Sequence, residues 1–264
     1  MNPYEADPEK IPSTDRYADV PMYGRYLPRS ADFTPDAKHI NCTTPESLEY
    51  WSTVLDKCTE SNRIYENQDG GRDVFALGSV IVKSSHLKAI RQGRRSHRDY
   101  SYADANEVEA IAIARKVLGS VKVPRVYFAA KVNGRDVFVQ ERIPGKLRTA
   151  SLPAEISRRS YVIPDPDPVE HRGIQELERD IIFSEDNKDP DLSFMHNDFS
   201  QSNCIVDNDR IVGLFDWEMA GFFGWKTAGK VHDQIRTPKR ENYSSANVSE
   251  EKLSDILFWN DLYE

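Results

Sequence analysis

The sequence predicts an α+β protein of two lobes, an antiparallel sheet with one main helix followed by a mostly helical, shortened second lobe. Three observations predict this. Two hairpin patterns, at 74–83 and 125–143, flank a helical pattern at 104–118. A second helical pattern leads from 170 to 183 into polar sequence. A third hairpin pattern then fills 204–215. The divisions expected are a flexible arm over 1–45, a first lobe over 46–143 and a second lobe over 144–264.

Composition bounds the reading first. The chain has 264 residues, 39% of them apolar and 30% charged. That suffices for a core in each of two lobes. Net charge is −8, which argues against a nucleic-acid-binding role. No stretch approaches the apolar length of a membrane span, and the N-terminus lacks the apolar run of a secretory signal. Cys42, Cys58 and Cys204 are odd in number and form no C-x-x-C pair. Free thiols in a reducing, cytoplasmic setting are therefore expected. The sequons at Asn41, Asn242 and Asn247 are then chance matches.

Residues 1–45 are rich in Pro, Asp, Tyr and Ser without a period, and read as a loosely attached arm. Pro45 and Glu46 open a short helix with Leu48, Trp51, Val54 and Leu55 on one face. Arg63–Glu66 is a short strand and Asp69-Gly70-Gly71 a turn. Val74–Leu77, the Gly78-Ser79 turn and Val80–Lys83 form a tight hairpin, placing Lys83 at the end of an apolar strand.

The run His86, Lys88, Arg91, Arg94, Arg95, His97 and Arg98 reads as a solvated basic loop. Asp104 and Glu107 open the main helix, with Val108, Ile111, Ala112 and Leu118 along one side and Gly119 as its stop. Their spacing also fits an N-cap with a glutamate three residues on. Asn133-Gly134 is the preferred turn of a two-residue hairpin, joining 125–132 to 135–143. Residues 146–168 are rich in Ser, Arg and Pro and look contracted. Ile174, Leu177, Ile181 and Ile182 mark the helix that follows.

The richest stretch runs from His196 to Gly221. It holds His196, Asp198, Asn203 and Asp216, with Cys204–Val206 and Arg210–Phe215 as strands about an Asp207–Asp209 turn. A hairpin of that size returns Asp216 to the end where Asn203 stands. An acid able to accept a hydroxyl proton, with an amide and a second acid offering hard oxygens, suits Mg2+ and phosphoryl transfer. Phe222–Trp225 would cover this motif, and a last helix spans roughly 250–262.

HNDFSQSN (196–203) and FDWEMAG (215–221) resemble the catalytic and metal-binding motifs of the aminoglycoside phosphotransferase and choline kinase-like family, in its fungal type. The resemblance implies a protein-kinase-like fold binding ATP and Mg2+. It implies Asp198 as catalytic base, Asn203 and Asp216 as metal ligands, and His196 as a structural residue of the loop. Lys83 would hold the α- and β-phosphates, oriented by Glu107, with Glu109 as the fallback. The backbone C=O of Glu141 and N–H of Ile143 would meet the adenine.

The sequence departs from the family in four ways. Asn197 stands where Gly is common, Gly70, Gly71 and Gly78 make no Gly-x-Gly-x-x-Gly loop, 146–168 is short, and the chain ends early.

The expected function is transfer of the γ-phosphoryl of ATP to a hydroxyl of an unidentified acceptor. The alternative is a weak or inactive kinase-like binding or scaffold protein. A metal-dependent hydrolase using His196, Asp198 and Asp216 is a third reading, disfavoured because Asn203 is a poor ligand for transition metals.

Overall fold

The computed structural model describes residues 26–67 except 27, 71–88, 99–144 except 120, 176–189, 192–199, 203–207, 210–237, 239–240, and positions 250, 253, 254 and 257. Residues 146–168, most of the basic run and Gly70 lie outside the described residues, as does most of the arm.

The first lobe is a five-stranded antiparallel sheet between two helices. Helix α1 is Pro45–Asp56. Strands β1 (Arg63–Tyr65), β2 (Asp73–Leu77) and β3 (Val80–Ser84) precede helix α2, Ser101–Val117. Strands β4 (Val126–Val132) and β5 (Arg135–Glu141) follow it. The order across the sheet is β1-β2-β3-β5-β4.

The hairpins form where the turn chemistry puts them. Asn133 and Gly134 both have positive φ, 52° and 75°. The expected turn requires this of both central residues. Pro45 stands in the first turn of α1, where its missing N–H is no loss, and Thr44 caps the helix by accepting from the Ser47 N–H.

Alternation along the strands decides which side chains meet which helix. Val80, Val82, Phe128, Val132, Val137 and Val139 pack with Trp51, Val54 and Leu55 of α1. Phe138 faces the other way, onto Ala110, Ile111 and Ala114 of α2. Lys83 pairs with Phe138 across β3 and β5, its Nζ 5.3 Å from the ring centroid. The one-residue step from Val82 to Lys83 therefore carries the lysine from the α1 face to the α2 face.

The last part of the arm is docked, where the sequence reads a loose segment. Asn41 N–H donates to the Tyr127 carbonyl at 2.8 Å, and Trp51 Nε1–H to the His39 carbonyl at 3.0 Å. Ser79 donates twice to the Phe33 carbonyl, from its N–H at 3.1 Å and its hydroxyl at 2.7 Å. The neighbouring Gly78 has φ +54°, and a Cβ there would collide with the Phe33 backbone. Only glycine takes such a place without cost. Backbone bonds such as these leave no hydrophobic period to read.

The described part of the second lobe holds α3 (Glu176–Ile182), β6 (Leu192–Met195), β7 (Cys204–Asp207), β8 (Arg210–Leu214), β9 (Gly221–Gly224) and α4 (Trp225–Val231). β7 and β8 form the expected hairpin. β9 pairs antiparallel with β6, Met195 opposite Gly221, so Phe222 and Phe223 are ladder residues; the expectation was a cover over the metal motif. Positions 250, 253, 254 and 257 are helical, as the last pattern requires.

One further bond pair joins the lobes. Lys122 donates its N–H to the Val212 carbonyl at 2.7 Å and accepts from the Leu214 N–H at 2.9 Å. No helix among the described residues is long and apolar enough to cross a membrane.

The three cysteines are free, and their surroundings separate them. Burial pushes the Cys58 and Cys204 thiols up to about 12. Hydrogen bonds from Ser47, and then Thr44, bring Cys42 down to about 7. A thiolate-selective reagent under mildly alkaline conditions is therefore expected to modify Cys42 alone in the native protein, and the other two only in denaturant. Mass mapping that finds Cys58 or Cys204 modified under native conditions contradicts these burials.

Candidate active site

The site forms where α2, β3 and the β7–β8 hairpin converge. Lys83 Nζ lies 3.0 and 3.2 Å from the two carboxylate oxygens of Glu107. It lies 2.5 Å from Asp216 Oδ1. Lys83 and Glu107 are both buried. Burial alone would lower the Lys83 pKa, but the Asp216 and Glu107 carboxylates outweigh it and raise it. Burial raises Glu107, and the nearby Lys83 charge opposes that rise. For Asp216 burial acts upward too, and the Lys83 ammonium overcomes it to leave the carboxyl below its usual value.

The glutamate that pairs with Lys83 is Glu107, and Glu109 is exposed. Helix α2 begins at Ser101, with Asp99 accepting from the Ser101 N–H at 3.0 Å. Asp104 is thus inside the helix and not its cap, which removes the capping-box reading of Asp104 and Glu107. The Asp104 carboxylate is buried and receives Arg72 Nη1 at 2.7 Å. The Tyr100 ring lies 4.0 Å from the Arg72 guanidinium.

Asn106, also buried, donates its amide hydrogens to the carbonyls of Glu218 at 3.0 Å and Ala220 at 2.9 Å. Arg72 and Asn106 have no part in the expected site, and Asp104 only a capping one. The only local signal was Asn106 beside Glu107.

A second group forms around the loop that follows β6. Asn203 donates from Nδ2 to both the Asp198 carbonyl, at 2.8 Å, and the Asp198 carboxylate, at 2.9 Å. With Nδ2 turned to Asp198, Oδ1 is the atom Asn203 has left to offer a cation. The backbone of Phe215 joins this group to Asp216. Its N–H donates to the Asn203 carbonyl at 3.1 Å, and its carbonyl lies 2.9 Å from His196 Nε2. His196 packs against the Trp217 ring at 4.5 Å between centroids, in keeping with a structural part.

Two loop residues adopt positive φ, Asn197 at 57° and Asp216 at 65°. Such a backbone favours Gly, with Asn and Asp the next most tolerant. The departure at Asn197 is therefore conformationally mild. Asn197 adds a side chain that donates to buried Glu178 of α3 at 3.3 Å.

Glu141 and Ile143 lie on the connection between lobes. Glu141 N–H donates to the Arg125 carbonyl at 2.8 Å, and Arg142 N–H to the Ser79 carbonyl at 2.9 Å. Ile143 is buried with Ile205 and Phe215 of the second lobe.

The carboxylates form a tight set. One oxygen from each of Glu107, Asp216 and Glu218 lies within 4.8 Å of the others. Glu218 stands two residues after Asp216, inside the FDWEMAG motif, but has no part in the expected site.

Known proteins resemble the chain in the same region. The family model described as the phosphotransferase enzyme family matches residues 165–222, which include His196, Asp198, Asn203 and Asp216. That is the segment on which the sequence resemblance rests. No curated protein matches the chain.

Among solved structures, the chain is similar to the streptomycin–ATP–APH(2")-IIa ternary complex. Identity is 14% over 82% of this chain and 97% of that one, with a TM-score of 0.39. It is similar to macrolide 2'-phosphotransferase MphH from Brachybacterium faecium, at 10% identity over 79% of this chain and 97% of that one and a TM-score of 0.38. ADP-bound aminoglycoside phosphotransferase APH(2'')-Ib gives 13% identity over 82% and 96%, with a TM-score of 0.36.

The Arg72–Asp104 pair makes a direct prediction. Both side chains are buried. Arg72→Met would leave the Asp104 carboxylate without its partner, a loss of about 3–5 kcal/mol. Urea unfolding followed by tryptophan fluorescence measures it. A change within about 0.5 kcal/mol, as for an ordinary surface substitution, contradicts that burial.

Proposed function

We propose that the chain is an ATP-dependent phosphotransferase that transfers the γ-phosphoryl of Mg-ATP to a hydroxyl of an acceptor. The observation that carries the reading is Lys83, drawn between an acid on α2 and an acid 133 residues further along the chain. A lysine with two acids from two lobes suits the handling of a triphosphate and its metal. The family match over the catalytic segment supports it.

The donor set fits Mg2+. One carboxylate oxygen from each of Glu107, Asp216 and Glu218 lies within 4.8 Å of the others, a gathering of acids that a divalent cation would relieve. The ligands on offer are carboxylate and amide oxygens, which suit a hard cation. Asp216 and Asn203 Oδ1 would hold it. Bound there, Mg2+ would neutralise charge on the phosphoryl oxygens in the transition state.

The chain's own groups do the rest. Lys83 would exchange part of its contact with Asp216 for the α- and β-phosphates while Glu107 keeps it oriented. Asp198, fixed by the Asn203 amide, would accept the proton of the acceptor hydroxyl. The Glu141 carbonyl and Ile143 N–H would bind the adenine edge, with Ile143, Ile205 and Phe215 as an apolar floor. Free thiols at Cys42, Cys58 and Cys204 suit a reducing compartment, and the cytoplasm is the proposed location.

Calorimetry with Mg-ATP tests the reading. The full chain is expected to bind ATP saturably and only with Mg2+, and Asp216→Asn to lose that binding. Asp198→Asn is expected to keep binding while ADP release with a competent acceptor falls about 10²–10⁴-fold. Binding that survives in Asp216→Asn, or no binding at millimolar ATP, overturns the phosphotransferase. Binding without turnover on any hydroxyl acceptor leaves the kinase-like binding protein as the better account.

A further inference from the structure

Arg142 stands between Glu141 and Ile143, the two residues whose backbone groups would meet the base. The arm reaches Arg142 by two routes. The Tyr26 ring is buried, and the Arg142 guanidinium lies 4.5 Å from its centroid. Ser79 makes the second route. Its carbonyl accepts from the Arg142 N–H at 2.9 Å, while its own N–H and hydroxyl donate to the Phe33 carbonyl at 3.1 and 2.7 Å.

Asp32 closes the two routes into one clasp. Its carboxylate accepts from the Tyr26 hydroxyl at 2.8 Å and from the Arg29 N–H at 2.9 Å. Its N–H donates to the Arg29 carbonyl at 3.1 Å, and Phe33 follows it directly. Gly78, which has no room for a Cβ against Phe33, lets the β2–β3 turn come up against this clasp. Ile143, next along the connection, packs with Ile205 and Phe215 of the second lobe. The connection is thus held by the arm through Arg142 and by the second lobe through Ile143.

We propose that Tyr26 and its clasp position the connection between lobes for the nucleobase, so that docking of the arm and binding of Mg-ATP strengthen each other. This rests on the nucleotide-binding reading above. A backbone that must order itself when a ligand arrives gives up binding free energy to do so, and one already fixed does not. Arg142 carries a long side chain in the middle of a short connection, and the face of the Tyr26 ring holds it by a cation–π contact. Tyr26 acts through Arg142 and is a positioning residue. Coupling of this kind is reciprocal. The factor that the clasp adds to nucleotide affinity is the factor by which bound nucleotide favours the closed clasp.

Two measurements on the full chain test this. Calorimetry with Mg-ATP compares the wild type with Tyr26→Leu, which takes the ring from Arg142. It also includes Ser79→Ala, which removes one of the two bonds to Phe33 and keeps the bond to Arg142. Hydrogen exchange read by mass spectrometry follows residues 29–34 of the wild type with and without saturating Mg-ATP, with α1 as the reference for any general stabilisation. Tyr26→Leu is expected to bind Mg-ATP about fivefold or more weakly, and Ser79→Ala to lose a smaller factor. Residues 29–34 are expected to exchange more slowly with nucleotide bound, beyond any slowing in α1, by the factor that Tyr26→Leu loses.

Thermal unfolding of the ligand-free proteins separates a positioning part from a structural one. A lower unfolding temperature in Tyr26→Leu with unchanged Mg-ATP affinity marks a merely structural tyrosine and overturns the proposal, leaving the phosphotransferase standing. Exchange in residues 29–34 that slows no more than in α1 overturns it as well. That measurement needs no variant, so it decides the matter even where Tyr26→Leu does not fold. A wild type that binds no Mg-ATP removes both readings.

Discussion

The buried ammonium of Lys83 is the constraint on which the rest of this site depends. A charge out of water is tolerated only where opposite charge and hydrogen bonds surround it. Glu107 and Asp216 meet that requirement from two different parts of the chain. Neither acid could take its place without the elements that carry it. Helix α2 must lie on the Lys83 face of the sheet, and the β7–β8 hairpin must end beneath it. The ion triad is therefore both a chemical device and a condition on how the lobes are assembled.

Helix α2 is held at three points close together in its sequence. Asp104 ties it to Arg72, Asn106 to the carbonyls after Asp216, and Glu107 to Lys83. Each contact comes from a different neighbour, so the helix cannot slide along one without straining another. The hairpin end is as tightly specified. Phe215 contributes both backbone groups, and Asp216 takes a left-handed backbone that re-aims its carboxylate toward Lys83. Strain of this kind persists where surrounding bonds over-determine it.

Much of this was legible because the signals are local. Asn133-Gly134 announces its hairpin, and alternation places Lys83 at a strand end. The spacing from Asn203 to Asp216 is that of a hairpin returning on itself. What escaped is what depends on distant partners. Arg72 and Asp104 are 32 residues apart, and Asp104 looks like a cap until its partner is seen. Phe222 and Phe223 become strand only because Leu192–Met195, too short to show a period, lies alongside. The docking of residues 28–44 rests on backbone groups and single aromatic rings, and a composition rich in proline and aspartate hides it.

The paired bonds between Lys122 and the strand Val212–Leu214 have a mechanical meaning. They fasten the segment after α2 to the hairpin that ends in Asp216, beside the covalent connection at Glu141–Ile143. Together with the Asn106 bonds to the carbonyls of Glu218 and Ala220, they place both ends of α2 at backbone distance from the hairpin. The separation of Glu107 from Asp216 is thus a dimension of the backbone frame, and the position of the Lys83 ammonium between them is inherited from that frame.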